Sequence, residues 1–129
     1  MANQPSVVVV SGVEQNHAAL DVLFLRAGWK VRHARSIADL DADPDASVCV
    51  LLTDYKLPDG RWTKVLEHAR RRDPGTEVVV YSNLVDEHLW AEVMCLGGFD
   101  AIGQPFDEVE LLRVAACAWR ESSQLRVCR

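Results

Sequence analysis

Four short polar stretches follow apolar runs and hold the side chains best placed for chemistry: Ser11-Gly12, Thr53-Asp54, Ser82-Asn83 and Gln104-Pro105. Asp54 is the only carboxylate among them. A carboxylate at the end of a buried strand ordinarily accepts hydrogen bonds from loop amides. A hydroxyl in the place of Ser82 ordinarily caps a local turn. The four stretches act together only if the runs before them are neighbouring strands of one sheet.

Other chemistries find little support. No GxGxxG follows the first apolar run, and neither a P-loop nor a GxSxG elbow occurs. His17, His33, His68 and His88 fall on different predicted elements, so no shared metal site is expected, and His68 and His88 read as exposed helix residues. Cys49, Cys95, Cys117 and Cys128 have no CxxC spacing and no His at a metal-ligand interval. Cys49 and Cys117 lie in apolar stretches, where a thiol packs as a small hydrophobe. Cys128 is reactive only if exposed. Arg70-Arg71-Arg72 reads as a solvated helix end. Trp62 and Trp90 stand near helix starts, as core residues or as anchors for a partner.

The elements that must position these residues alternate along the chain. Val7–Val10, Val48–Leu52 and Val78–Tyr81 are short, mostly β-branched runs that suit strands buried on both faces, with Lys30–His33 and Phe99–Gly103 as weaker candidates. Helical spacing of apolar residues marks Glu14–Ala27, closed by Gly28, and Arg61–Arg72, stopped by Asp73-Pro74-Gly75. Ser36, Asp86 and Asp107 are placed to cap three more helices, the second ending at Gly97-Gly98. Five β-α units imply a parallel sheet with helices on both faces. In the strand order 2-1-3-4-5, ligands bind where the order reverses, between the first and third strands, and the four polar stretches meet there.

Composition bounds the rest. The chain has 129 residues, 49% hydrophobic and 26% charged, with a formal charge of −5. That suits one domain with an ordinary core, predicted over residues 1–122, followed by a short tail at 123–129. The acidic balance argues against nucleic acid as a partner. No apolar run approaches the ~20 residues that span a bilayer. The start lacks the features of a secretory signal, so a cytoplasmic location is expected.

The motifs bear a specific likeness. Leu51-Leu52-Thr53-Asp54-Tyr55-Lys56-Leu57-Pro58-Asp59-Gly60, Tyr81-Ser82-Asn83 and Gly97 to Phe106, in that order and spacing, resemble the receiver domain of two-component response regulators, and the likeness runs from Val7 to about Arg120. It implies a flavodoxin-like (βα)5 fold, a signalling module rather than an enzyme, and a cis bond at Gln104–Pro105. Asp54 stands at the phosphorylated aspartate, Ser82 at the switch hydroxyl and Gln104 at the lysine. The family's acidic pair at the end of the first strand is replaced by Ser11 and Gly12, and its aromatic switch residue by Ala101.

These departures bear on phosphoryl transfer, which in the family uses magnesium held by carboxylates. A phosphoaspartate carries roughly two negative charges, and each charge-assisted partner lost commonly costs about 1.5–3 kcal/mol. The expectation is an atypical single-domain receiver with weak or lost magnesium binding. It would signal through protein contacts in a two-component pathway, with no effector domain attached. Its partners would be a histidine kinase, an effector or a second copy, meeting the face of the fourth helix, fifth strand and fifth helix. At Ala101 a shallow hollow or simple repacking is expected. The alternative is a working phosphoacceptor in a phosphorelay, Asp54, helped by Glu14 or by water-held magnesium. A third reading is an unrelated module binding a small anion near Ser11, Ser82 and Asn83.

Overall fold

The computed structural model describes residues 4–43 and 50–127, with side chains up to residue 123. Along the chain run β1 (Ser6–Val10), α1 (Glu14–Arg26), β2 (Lys30–Ala34), α2 (Ile37–Ala42), β3 (Val50–Asp54), β4 (Lys56–Leu57), β5 (Gly60–Arg61), α3 (Trp62–Arg72), β6 (Glu77–Ser82), α4 (Glu87–Leu96), β7 (Asp100–Gly103) and α5 (Glu108–Val127). Five strands make a parallel sheet in the order β2-β1-β3-β6-β7, and β4 and β5 form a separate antiparallel ribbon. With that ribbon set aside, the order is the expected 2-1-3-4-5, and the fold is flavodoxin-like.

Strand alternation sends successive side chains to opposite faces. Val7 and Val9 of β1 join Leu20 and Phe24 of α1 and Leu111, Val114, Ala115 and Ala118 of α5 in one buried cluster. Val8 and Val10 join Leu40 of α2, Trp62, Val65, Leu66 and Ala69 of α3, and Leu89 and Val93 of α4 in the other. The β-branched runs are therefore buried on both sides, as a doubly covered parallel sheet requires.

The predicted caps form. Ser36 accepts from the Asp39 amide, Asp86 from that of Leu89 and Asp107 from that of Glu110. Gly97 ends α4 in the left-handed region at φ 97°, and Gly28, at φ 86°, follows the last turn of α1. The Gln104–Pro105 bond is cis. Among the described residues no helix is long and apolar enough to cross a membrane.

Several expectations change. The third strand runs two residues past Leu52, because Thr53 and Asp54 pair with Val80 and Tyr81 of β6; Val48 and Cys49, at its expected start, lie outside the described residues, as does Cys128. Helix α5 continues through Val127 rather than yielding to a tail after Ser122. No Gly or Pro interrupts it, and Ser122 is fully buried. His68 is buried rather than exposed, since it follows Val65 by three residues on the inward face of α3, and its Nδ1 lies 2.6 Å from Asp41 Oδ1. The arginine cluster does end α3 with Arg71 and Arg72 exposed, as expected, but two of its members also bind the fold. Arg70 donates to the Thr76 and Gly97 carbonyls and Arg72 to those of Asp41 and Asp43.

Candidate functional site

The carboxyl ends of β1, β3, β6 and β7 converge as the strand order demands. Asp54, Ser82, Asn83 and Gln104 line one open cavity of about 470 Å³ with Val13, Asn16, Tyr55, Lys56 and Leu84. Ser11 is buried beside it, and its Oγ lies 3.4 Å from Asp54 Oδ2. The four polar stretches singled out in the sequence therefore lie close together at one end of the sheet.

Asp54 is half-buried. Burial raises its carboxyl above the usual aspartate range, opposed by hydrogen bonds from the Lys56 and Tyr55 amides and from Ser11. Ser11 Oγ also accepts from the Val13 amide at 3.0 Å, closing the turn into α1. Ser82 Oγ accepts from the Leu84 amide at 3.2 Å, the local turn expected of such a hydroxyl.

Two residues outside the four stretches complete the arrangement. Asn16, in the first turn of α1, donates through Nδ2 to Ser11 Oγ at 3.3 Å and to the Tyr81 hydroxyl at 3.4 Å. Its Oδ1 accepts from Gln104 Nε2 at 2.9 Å. Gln104, on β7's exit loop, is thus tied to α1 and not to Asp54. Tyr81 is fully buried, packs edge-on against Phe106 and points its hydroxyl at this cluster; burial pushes its ionisation well above the ordinary phenol range. The sequence offered one signal for Tyr81, its place just before Ser82 at the end of a strand. For Asn16 there was only its spacing from Ser11, close to one helical turn and a half.

Glycine at position 12 has a steric reason. A Cβ built there would lie 2.6 Å from Pro58 Cγ and 2.8 Å from its Cδ. Pro58 lies at the turn between β4 and β5, four residues after Asp54, so a side chain at Gly12 would have to displace its ring. Glu14 turns away: its carboxylate takes two bonds from Arg35, at 3.0 and 2.9 Å, and that guanidinium holds it below the usual glutamate range. It is absent from the cavity lining, where Asp54 is the only acid and Lys56 the only base.

The second tryptophan reading also resolves. Trp62 is fully buried and its Nε1 donates to Glu92 Oε1 at 2.9 Å, while Trp90 is 52% exposed. Ala101 is buried in the cluster that holds Trp62, Leu89 and Val93, so repacking rather than a hollow surrounds it.

No family model matches the chain, and no curated protein matches it. Solved structures do. A receiver domain protein from Clostridium thermocellum superposes with a TM-score of 0.83 at 18% identity, over 94% of this chain and 98% of its own. A CheY-like receiver domain protein from Methanospirillum hungatei gives 0.82 at 19% identity, over 95% and 98%. The signal receiver domain of an HD domain-containing protein from Pseudomonas fluorescens gives 0.83 at 20%, over 98% and 94%. The chain has the fold of response-regulator receiver domains.

Proposed function

We propose that this chain is an atypical receiver, a signalling module and not an enzyme, that acts through protein contacts with metal-assisted phosphorylation of Asp54 impaired. One observation carries the reading: a run of polar side chains leads from Gln104 to Asp54 and its members are bonded to one another. Gln104 donates to Asn16, Asn16 donates to Ser11 and Tyr81, and Ser11 reaches Asp54. Magnesium dehydrates reluctantly and is held through carboxylates and phosphate oxygens. The donor set here does not fit it. Asp54 is the one carboxylate lining the cavity, Ser11 is neutral, and Gly12 offers no side chain, where even a Cβ would press on Pro58 at 2.6 Å.

A neutral amide at Gln104 also leaves the roughly two negative charges of a phosphoaspartate without the ammonium that the family supplies. Exposed apolar residues support a contact role. Trp90 and Leu96 on α4 are each 52% exposed, and Val109 on α5 is 78% exposed. They flank β7, and this face would take an effector, a histidine kinase or a second copy of the chain in a two-component pathway.

A second reading keeps Asp54 as a phosphoacceptor. Lys56 favours it, as a base on the rim of the same cavity. The test is incubation with acetyl phosphate and magnesium, followed by intact mass measurement. No phosphoryl adduct is expected; an adduct that Asp54→Asn abolishes would replace the first reading by the second.

A further inference from the structure

His17, Nδ1 facing Nδ1, lies 2.6 Å from His33 across the α1–β2 contact. His17 is buried, and its Nε2 lies 2.8 Å from the Ser11 carbonyl oxygen. On the far side His33 Nε2 lies 2.8 Å from Asp21 Oδ1, at the surface of α1. The four groups form one unbranched chain from the surface to Ser11, beside the Asp54 cavity. We infer that the His17–His33–Asp21 chain is a proton-linked latch between α1 and β2, read at the Asp54 pocket through Ser11.

The inference follows from counting hydrogens. A carbonyl oxygen only accepts, so His17 Nε2 carries a hydrogen toward Ser11. The Nδ1–Nδ1 contact needs one hydrogen between its two nitrogens, and the contact of His33 Nε2 with Asp21 needs another. Three hydrogens are required, whereas two neutral imidazoles and a carboxylate hold two. The closed chain therefore holds one extra proton and is neutral overall, for instance as an imidazolium on His33 beside the Asp21 carboxylate. When that proton leaves as pH rises, His33 has one hydrogen for two acceptors, and one contact opens.

His17 keeps its Nε2 hydrogen on the Ser11 carbonyl in both forms, so release of its Nδ1 contact lets the ring shift and Ser11 shift with it, and the Ser11 hydroxyl meets Val13, Asn16 and Asp54. The charged groups around the pair are Glu14 and Asp21 on α1 and Arg35 after β2. Glu14 acts on both rings, and Arg35 acts on Glu14 and Asp21. Arg32, the residue before His33 in β2, pairs with Asp43. From α5, Glu108 pairs with Arg26 at the other end of α1. Beyond Ser11, Asp54 Oδ2 lies 3.4 Å from its hydroxyl. The latch does not depend on the fate of Asp54.

The test follows the imidazole nitrogens and backbone amides of the full chain by NMR between about pH 5 and 9, which brackets the range where histidine changes charge. His17 and His33 should change together, and the Ser11, Val13 and Asp54 amides should move in the same step. Asp21→Asn is the decisive variant. Its amide can donate to His33 Nε2, so two neutral rings then satisfy all three contacts, and the step at Ser11 and Asp54 should vanish with the fold retained. His33→Gln, at a ring that is 20% exposed, should abolish the same step. Independent titration of the two rings without any shift at Ser11, or a wild-type step in Asp21→Asn, would overturn the latch.

Discussion

Replacing Gly12 by alanine should destabilise the chain through one contact. The added Cβ would meet Pro58 Cγ at 2.6 Å and Cδ at 2.8 Å, whereas carbon atoms pack comfortably at about 3.5–4.0 Å. The overlap is roughly 1 Å, and the proline ring cannot swing aside as a flexible side chain would. Gly12 is not among the residues with positive φ, so alanine meets no backbone strain there, and its lower unfolded-chain entropy offsets about 0.4–1 kcal/mol of the cost. Overpacking of this kind costs about 1–3 kcal/mol. At this chain length that corresponds to a fall in Tm of roughly 4–12 °C. Calorimetry on Gly12→Ala, Pro58→Ala and the double variant forms a cycle that isolates the contact. The double variant should lose less than the sum of the single losses. An unchanged Tm in Gly12→Ala, or additive losses, would refute the steric account and reopen the position to an acid.

Two other perturbations probe the polar cluster. Because burial raises the Asp54 carboxyl, the folded chain binds that proton more tightly than the unfolded chain, so ionised Asp54 costs stability above the usual aspartate range. Asp54→Asn should therefore have the higher Tm near neutral pH, and the gap should close as pH falls below about 4; a gap that widens on acidification contradicts this sign. Asn16→Ala removes the donor to Ser11 and Tyr81 and the acceptor for Gln104. It should cost about 1–3 kcal/mol in urea unfolding, and a neutral result would mean that water replaces the amide without loss.

Local chemistry made much of the fold legible. Ser36, Asp86 and Asp107 cap the helices they precede, and the valine runs alternate between two clusters as strand geometry requires. The weak strand at Lys30 pairs with β1 along its whole length, from Ser6↔Lys30 to Val10↔Ala34, because tertiary pairing outweighs its polar composition. Asp54, Ser82 and Gln104 were legible as a group because strand order alone assembles strand ends.

The groups that decide the chemistry were not legible, since their roles depend on distances between elements. Asn16 and Gln104 meet across 88 residues, and Gly12 is confined by a proline from another strand's loop. His17 and His33, assigned to different elements, meet because β2 packs against α1. Helical phase alone could have turned His68 inward, three residues after Val65. The continuation of α5 past Ser122 is a milder case, in which unbroken helix-forming residues carry the element beyond the expected end.

The reading proposed above requires that the Asp54 pocket not hold magnesium. A magnesium titration of the full chain, followed at the amides of Ser11, Gly12 and Asp54, tests it most directly. No saturable shift is expected at these three amides, with the same small linear drift in wild type and Asp54→Asn. Saturable shifts confined to them in the wild-type chain, and absent in Asp54→Asn, would contradict it.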